Sequence, residues 1–138
     1  LPHRDDPDNG AFWNATDEGR LVVKHCADCG KSHWPPRLGC PWCGSASVDW
    51  ADAPPRGAVY SWTVVHRSQT PGFAGEVPYA VLLVEIEGHA GVRMLGNLVN
   101  AGLDVIRAGL AVEAVFAPSP DGTATLVNWQ PADAALRR

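Results

Sequence analysis

No apolar run in this 138-residue sequence approaches the roughly 18 residues a membrane span needs. The longest, Tyr79-Ala-Val-Leu-Leu-Val84, has the length of a strand. The opening residues, Leu1-Pro-His-Arg-Asp-Asp6, are polar and carry no secretory signal pattern. The chain starts on Leu rather than Met, which reads as a trimmed or excised piece of a longer polypeptide. Lysine is scarce. Lys24 and Lys31 stand beside nine arginines, and 15 acidic residues bring the net charge to -4. That balance lacks the basic footprint of a general nucleic-acid binder. There is no internal repeat, no Gly-x-Ser-x-Gly, no His-Glu-x-x-His, no phosphate loop and no Gly-x-Gly-x-x-Gly. These absences remove the recognisable serine hydrolases, metalloproteases and dinucleotide binders. Apolar residues at 46% and charged residues at 19% are an ordinary globular balance, in a length that suits one compact domain or two small modules.

What the sequence does have is four cysteines in two tight pairs, Cys26-Ala-Asp-Cys29-Gly30 and Cys40-Pro-Trp-Cys43-Gly44. Two intervening residues let both thiolates of a pair grip one ion, and the glycine that follows permits the turn whose amides face the sulfurs. Four thiolates around a tetrahedral ion close the shell, leaving no position for water or substrate. The reading is a structural zinc held by Cys26, Cys29, Cys40 and Cys43, in a reducing cytoplasm rather than a disulfide-forming compartment. Iron is the alternative, because both knuckles also resemble rubredoxin. A red, redox-active preparation would favour iron.

Around the cysteines, residues 1–20 read as a polar lead and a short helix. Asp8 is its candidate cap, Phe12, Trp13 and Leu21 its buried side, and Gly19 its end. Residues 21–52 hold too few aliphatic side chains for a core of their own and need a metal to fold. The stretch Ala51-Asp-Ala-Pro-Pro-Arg-Gly57 reads as a linker. Beyond it lie five candidate strands: Ala58–Val65, Tyr79–Ile86, Val92–Val99, Leu110–Phe116 and Ala124–Trp129. Turns are expected at Glu87–Gly91 and Pro118–Gly122, and bends or bulges at Gly57, Gly91 and Gly96. The expected fold is mainly β: an N-terminal helix, a zinc ribbon, a five-stranded OB-fold-like barrel over residues 53–131, and a tail at 132–138.

No catalytic constellation stands out. His25, His33, His66 and His89 accompany no nucleophile motif, His3 sits in the polar lead, and His25 is a candidate spare ligand beside Cys26. Glu85 and Glu87 alternate along a strand and suit its solvent face. Arg37, Arg56, Arg67 and Arg93 have the chemistry to hold ligand phosphates, though surface arginines serve equally as ion-pair partners. Six tryptophans are many for this length, and Trp13 and Trp34 are candidate partner contacts.

Taken in order, Phe12-Trp13, Glu18-Gly-Arg-Leu21, Cys26-Ala-Asp-Cys-Gly30, Pro35-Pro-Arg37, Cys40-Pro-Trp-Cys-Gly44 and Gly57-Ala-Val-Tyr-Ser-Trp-Thr-Val-Val-His-Arg67 resemble a known family. Its members combine a rubredoxin-like zinc ribbon with an acyl-CoA-associated OB-fold, and were long catalogued as a domain of unknown function. The resemblance covers about Phe12 to Trp129 and rests on the combination, since each knuckle alone is common. It implies an accessory subunit that binds a thiolase-like enzyme acting on acyl-CoA, some members serving aldolases that shorten steroid side chains. It further implies fusion to, or association with, a hydratase-like domain, and a catalytic site carried by the partner. On that reading Phe12, Trp13 and Trp34 contact the partner, while Arg67 and Arg93 border its CoA channel. Two rivals are an OB-fold module for single-stranded nucleic acid and an iron electron-transfer protein.

Overall fold

The computed structural model describes residues 9–67 and 77–137. Asp8 and His3 lie outside them. Helix α1 (Gly10–Asp17) begins after Asn9, whose carbonyl accepts from the Phe12 and Trp13 amides. It buries Phe12, Ala15 and Thr16. Gly19, at φ +73°, ends it: the Arg20 amide reaches back to the Ala15 carbonyl and the Gly19 amide to that of Thr16. A left-handed residue closing the last carbonyls in this way is a Schellman stop, which glycine adopts without strain.

Leu21 does not belong to the helix. It starts β1 (Leu21–Cys26), the centre of a three-stranded antiparallel sheet with β2 (Ser32–His33) and β3 (Val48–Ala53). Nor is Ala51–Gly57 a linker, because Ala51–Ala53 completes β3 and β4 starts at Arg56. The ribbon lacks an independent core for the reason its composition suggests, but it shares one. Leu21, Val22 and Val23 pack into the same cluster as the barrel's Leu82, Val84 and Trp129.

The second sheet contains β4 (Arg56–Val65), β5 (Tyr79–Ile86), β6 (Arg93–Asn97), β7 (Ala111–Pro118) and β8 (Thr125–Pro131), in the order β6-β5-β4-β7-β8. Along β5 every second residue, Ala80, Leu82, Val84 and Ile86, is buried, the period-2 signature of a strand with one face on a core. Strand β4 serves two neighbours. Gly57 pairs with Ile86 on one side and Val112 on the other, and an irregularity between Val59 and Ser61 bends the strand around the barrel. A parallel bridge from Leu98 to Trp129 joins the two edges, with the Val99 amide on the Trp129 carbonyl at 2.8 Å. The five strands therefore form the partly closed OB-type barrel, its centre filled by fully buried Trp129.

All five expected strands exist; β5 spans the expected Tyr79–Ile86, and the other four start or end one or two residues away from the expected bounds. No helix among the described residues is long and apolar enough to cross a membrane.

Candidate metal centre and adjoining groove

Strand β1 delivers Cys26 to the turn that carries Cys29, and the loop between β2 and β3 supplies Cys40 and Cys43. The two knuckles repeat one hydrogen-bond pattern. The Gly30 amide donates to the Cys26 carbonyl and the Cys26 amide to that of Lys31; Gly44, Cys40 and Ser45 do the same in the second. Gly30 and Gly44 sit at φ +75° and +77°, as such turns require. The side chain of Ser45 donates to Asp28, fastening one knuckle to the other.

Cys26 Sγ lies 3.7 Å from Cys43 Sγ, and Cys29 Sγ 3.7 Å from Cys40 Sγ. All four sulfurs fall within 4.8 Å of one another. Disulfides would need about 2.05 Å. Sulfurs at about 2.3 Å around a tetrahedral ion stand roughly 3.8 Å apart, so the four cysteines are placed to hold one metal ion.

Their titration agrees. Burial opposes ionisation of Cys40, but the amides of Cys43 and Trp42, then the Cys29 and Cys43 thiols, outweigh it and bring its pKa to about 7. At Cys43 the Ser45 amide favours the thiolate, yet desolvation and the other three thiols push it up to about 12. At Cys29 the Lys31 amide and the Cys43 thiol favour the thiolate, yet desolvation and the Cys40 and Cys26 thiols outweigh them and raise its pKa. At pH 7 the metal-free cluster thus keeps protons that a metal must displace. Metal uptake should release at least two protons near neutrality, and affinity should climb as pH rises and fall on acidification. Calorimetry of zinc uptake in two buffers of different ionisation enthalpy measures that release; no buffer dependence would contradict it.

Helix α1 packs against the ribbon through aromatic rings: Phe12 and Trp34 stand 4.6 Å apart between centroids, Phe12 and Trp13 5.3 Å. Pairs of this kind contribute about 1 kcal/mol each beyond area burial. The three rings form one wall of an apolar groove of about 600 Å³ whose other wall is β6 and β8, with Leu83, Met94 and Leu95 among its lining. Arg93 lines it too, its guanidinium stacked 3.7 Å over the Tyr60 ring and 4.0 Å from Glu85. The groove thus unites Phe12, Trp13, Trp34 and Arg93. It does not include Arg67, which is exposed two residues beyond the end of β4. Arg93 pairs with Glu85 while Val65 pairs with Tyr79, so about six residues of strand, roughly 20 Å, separate Arg93 from the level of Val65, and Arg67 lies two residues farther on. They do not grip one phosphate together.

Of the other basic residues, Arg56 pairs with Glu87 at the surface and Arg37 is exposed. His33 is buried, which holds its pKa below the ordinary range. Lys24, opposite His33 in the sheet, is also buried, its ammonium 4.7 Å over Trp50. Sequence reasoning missed this lysine, which sits mid-strand among apolar residues and carries no local signal. It also missed Ser32, whose hydroxyl meets two imidazoles, Nδ1 of His25 at 3.1 Å and Nδ1 of His89 at 2.9 Å.

Comparison with known proteins accords with this architecture. Residues 13–49 match the rubredoxin-like zinc ribbon domain of ChsH2, and residues 50–117 match its C-terminal OB-fold domain. A probable enoyl-CoA hydratase alpha subunit of Thermomonospora curvata is 40% identical over 76% of this chain and 32% of its own. The 3-oxo-4,17-pregnadiene-20-carboxyl-CoA hydratase alpha subunit of Mycobacterium tuberculosis is 32% identical over 90% of this chain and 38% of its own. This chain therefore spans about a third of those two relatives. A DUF35 domain-containing scaffold protein of Pyrococcus furiosus is 33% identical over 75% of this chain and 74% of its own. Among solved structures, one described as the Ltp2-ChsH2(DUF35) aldolase superposes with a TM-score of 0.81 at 35% identity, covering 96% of this chain and 99% of that one. A Sulfolobus solfataricus DUF35 protein shares the fold at TM-score 0.66 and 16% identity, covering 93% of this chain and 90% of its own. The chain belongs to the ChsH2/DUF35 family of zinc-ribbon and OB-fold proteins.

Proposed function

We propose that this chain is a non-catalytic accessory module, stiffened by a structural zinc, that binds a thiolase-like acyl-CoA lyase and completes its active assembly. The partner carries out retro-aldol cleavage of an acyl-CoA side chain, a steroid side chain being the favoured substrate by analogy with the Mycobacterium tuberculosis relative. A larger polypeptide bearing a hydratase-like domain is the natural context, since the two hydratase relatives are about three times as long as the matched segment.

The observation that carries this reading is the groove. Trp13 and Trp34, backed by buried Phe12, offer large, rigid aromatic surface on a scaffold braced by the cysteine cluster, and Leu95, 68% exposed, extends the apolar surface along β6. Tyr60 and Trp62 add exposed rings on β4. Aromatic anchors surrounded by a polar rim are what interface hot spots are made of. On this reading Arg93, which stacks on Tyr60 and lines the groove, borders the CoA channel of the partner. Arg67 would have to serve a separate stretch of that channel.

The test is co-purification with a thiolase-like partner from the native cytoplasm, with the complex assayed for acyl-CoA cleavage. Trp13→Ala and Trp34→Ala should each weaken association by about 2 kcal/mol, roughly 30-fold in Kd, while leaving the metal content unchanged. Arg93→Ala should raise KM for the acyl-CoA more than it lowers kcat. A monomer that captures no such partner, or one that binds single-stranded oligonucleotide in a salt-dependent manner, would sink the reading.

A further inference from the structure

We propose that His25 and His89 form a second metal site, open to solvent, that takes a divalent transition ion such as Zn²⁺ or Ni²⁺ where the ribbon meets the β5–β6 turn. It is independent of the partner reading above. Both imidazoles present Nδ1 to one point, the Ser32 hydroxyl, at 3.1 and 2.9 Å. The two nitrogens are therefore at most about 6 Å apart, the length of the two bonds end to end. An ion bound at about 2.0 Å holds tetrahedral nitrogen ligands roughly 3.3 Å apart, so modest side-chain rotations close the pair on a metal. Ser32 then turns aside or contributes its oxygen.

The chemistry favours such an ion. Neutral imidazole suits borderline transition metals and is a poor ligand for magnesium or calcium. Burial, then the neighbouring His25, holds the His89 pKa below its usual range, so at neutral pH that ring is uncharged and available. Access exists as well: His89 lines a cleft of about 430 Å³ between the Gly88–Gly91 turn and the ribbon's Lys31, Ser32 and Trp42. Water in that cleft fills the remaining coordination positions. The site is distinct from the thiolate cluster, because successive residues of β1 point to opposite faces and His25 therefore turns away from Cys26. The four cysteines enclose their ion, whereas this pair binds more weakly and exchanges. His25 belongs to the ribbon and His89 to the barrel, so the second ion clips one to the other.

The experiment titrates Ni²⁺ into the untagged 138-residue chain already loaded with one zinc at the cysteines. Calorimetry should show one further saturable equivalent. The ring signals of His25 and His89 should broaden together, and the melting temperature should rise. His89→Asn, and separately His25→Ala, should abolish the further equivalent while the cysteine-bound zinc stays at one per chain. No further equivalent in the unsubstituted chain overturns the proposal. So does an equivalent that survives His89→Asn, which would mark an adventitious ion only.

Discussion

Cys26→Ser should abolish stoichiometric metal binding and unfold the ribbon, whereas a change at an exposed surface residue such as Leu38 should leave both intact. Structural zinc in small all-thiolate or mixed sites is worth about 10–16 kcal/mol of apparent binding energy at pH 7, and that binding energy is folding energy. Cys26 is fully buried at the end of β1, and the same strand sends Leu21, Val22 and Val23 into the common core. Loss of the ion therefore does more than free a loop. It releases the β1–β2 and β1–β3 pairings that fix Trp34, and with Trp34 the ring packing that seats α1. Hydrogen exchange on the chelated protein should show amides of residues 21–53 exchanging faster by several orders of magnitude. The β4–β5 ladder should slow exchange as before. If the ribbon kept its protection after complete metal removal, the cluster would be ornamental and the accessory-module reading would lose its scaffold. Elemental analysis of the same preparation separates zinc from iron, since both accept four thiolates at similar distances.

The parts of this molecule legible in the sequence are those written in local chemistry. Paired Cys-x-x-Cys knuckles with trailing glycines announce their geometry, because the spacing and the need for a left-handed residue leave few other shapes. Strand β5 announced itself by its apolar run, and Gly19 by ending a helix. What stayed hidden depends on residues far apart in the chain. The barrel's closure rests on Leu98 meeting Trp129, thirty-one positions later, and neither residue is unusual alone. The sharing of one core between ribbon and barrel was hidden likewise, since Leu21–Val23 reads as too small a patch to matter until the barrel supplies its other half. The convergence of His25 and His89 on Ser32 spans 57 positions between Ser32 and His89. The groove was only partly legible: its aromatic residues were singled out for their type, but their grouping with Arg93, and the exclusion of Arg67, follow from register.

Gly96→Val and Gly57→Val should each destabilise the barrel by about 3 kcal/mol or more, the upper end for overpacking a core. For a chain of this length that corresponds to roughly a 10 °C fall in melting temperature. The obstacle is spatial rather than conformational. Neither glycine has a positive φ, so an L side chain meets no backbone penalty there. A Cβ at Gly57, however, would lie 2.1 Å from the Glu85 carbonyl oxygen and 2.9 Å from a Val84 methyl. At Gly96 it would meet the Val127 carbonyl oxygen at 2.5 Å and the Trp129 indole at 2.7 Å. At Gly57 the obstacle is largely backbone of a neighbouring strand, which cannot swing aside; at Gly96 it is the Val127 carbonyl together with the fully buried Trp129 ring. Gly57 is the point where β4 is pressed between β5 and β7; Gly96 is the point where β6 comes against Val127 and Trp129 of β8, next to the Leu98–Trp129 bridge that closes the barrel. Substitution at Gly96 has a second reading built in, because the same residue lines the groove. A variant that kept its melting temperature but lost partner affinity would place Gly96 in the interface rather than the seam. A variant that lost stability, with metal content unchanged, would show that the barrel closes on the one position where β6 lacks a side chain.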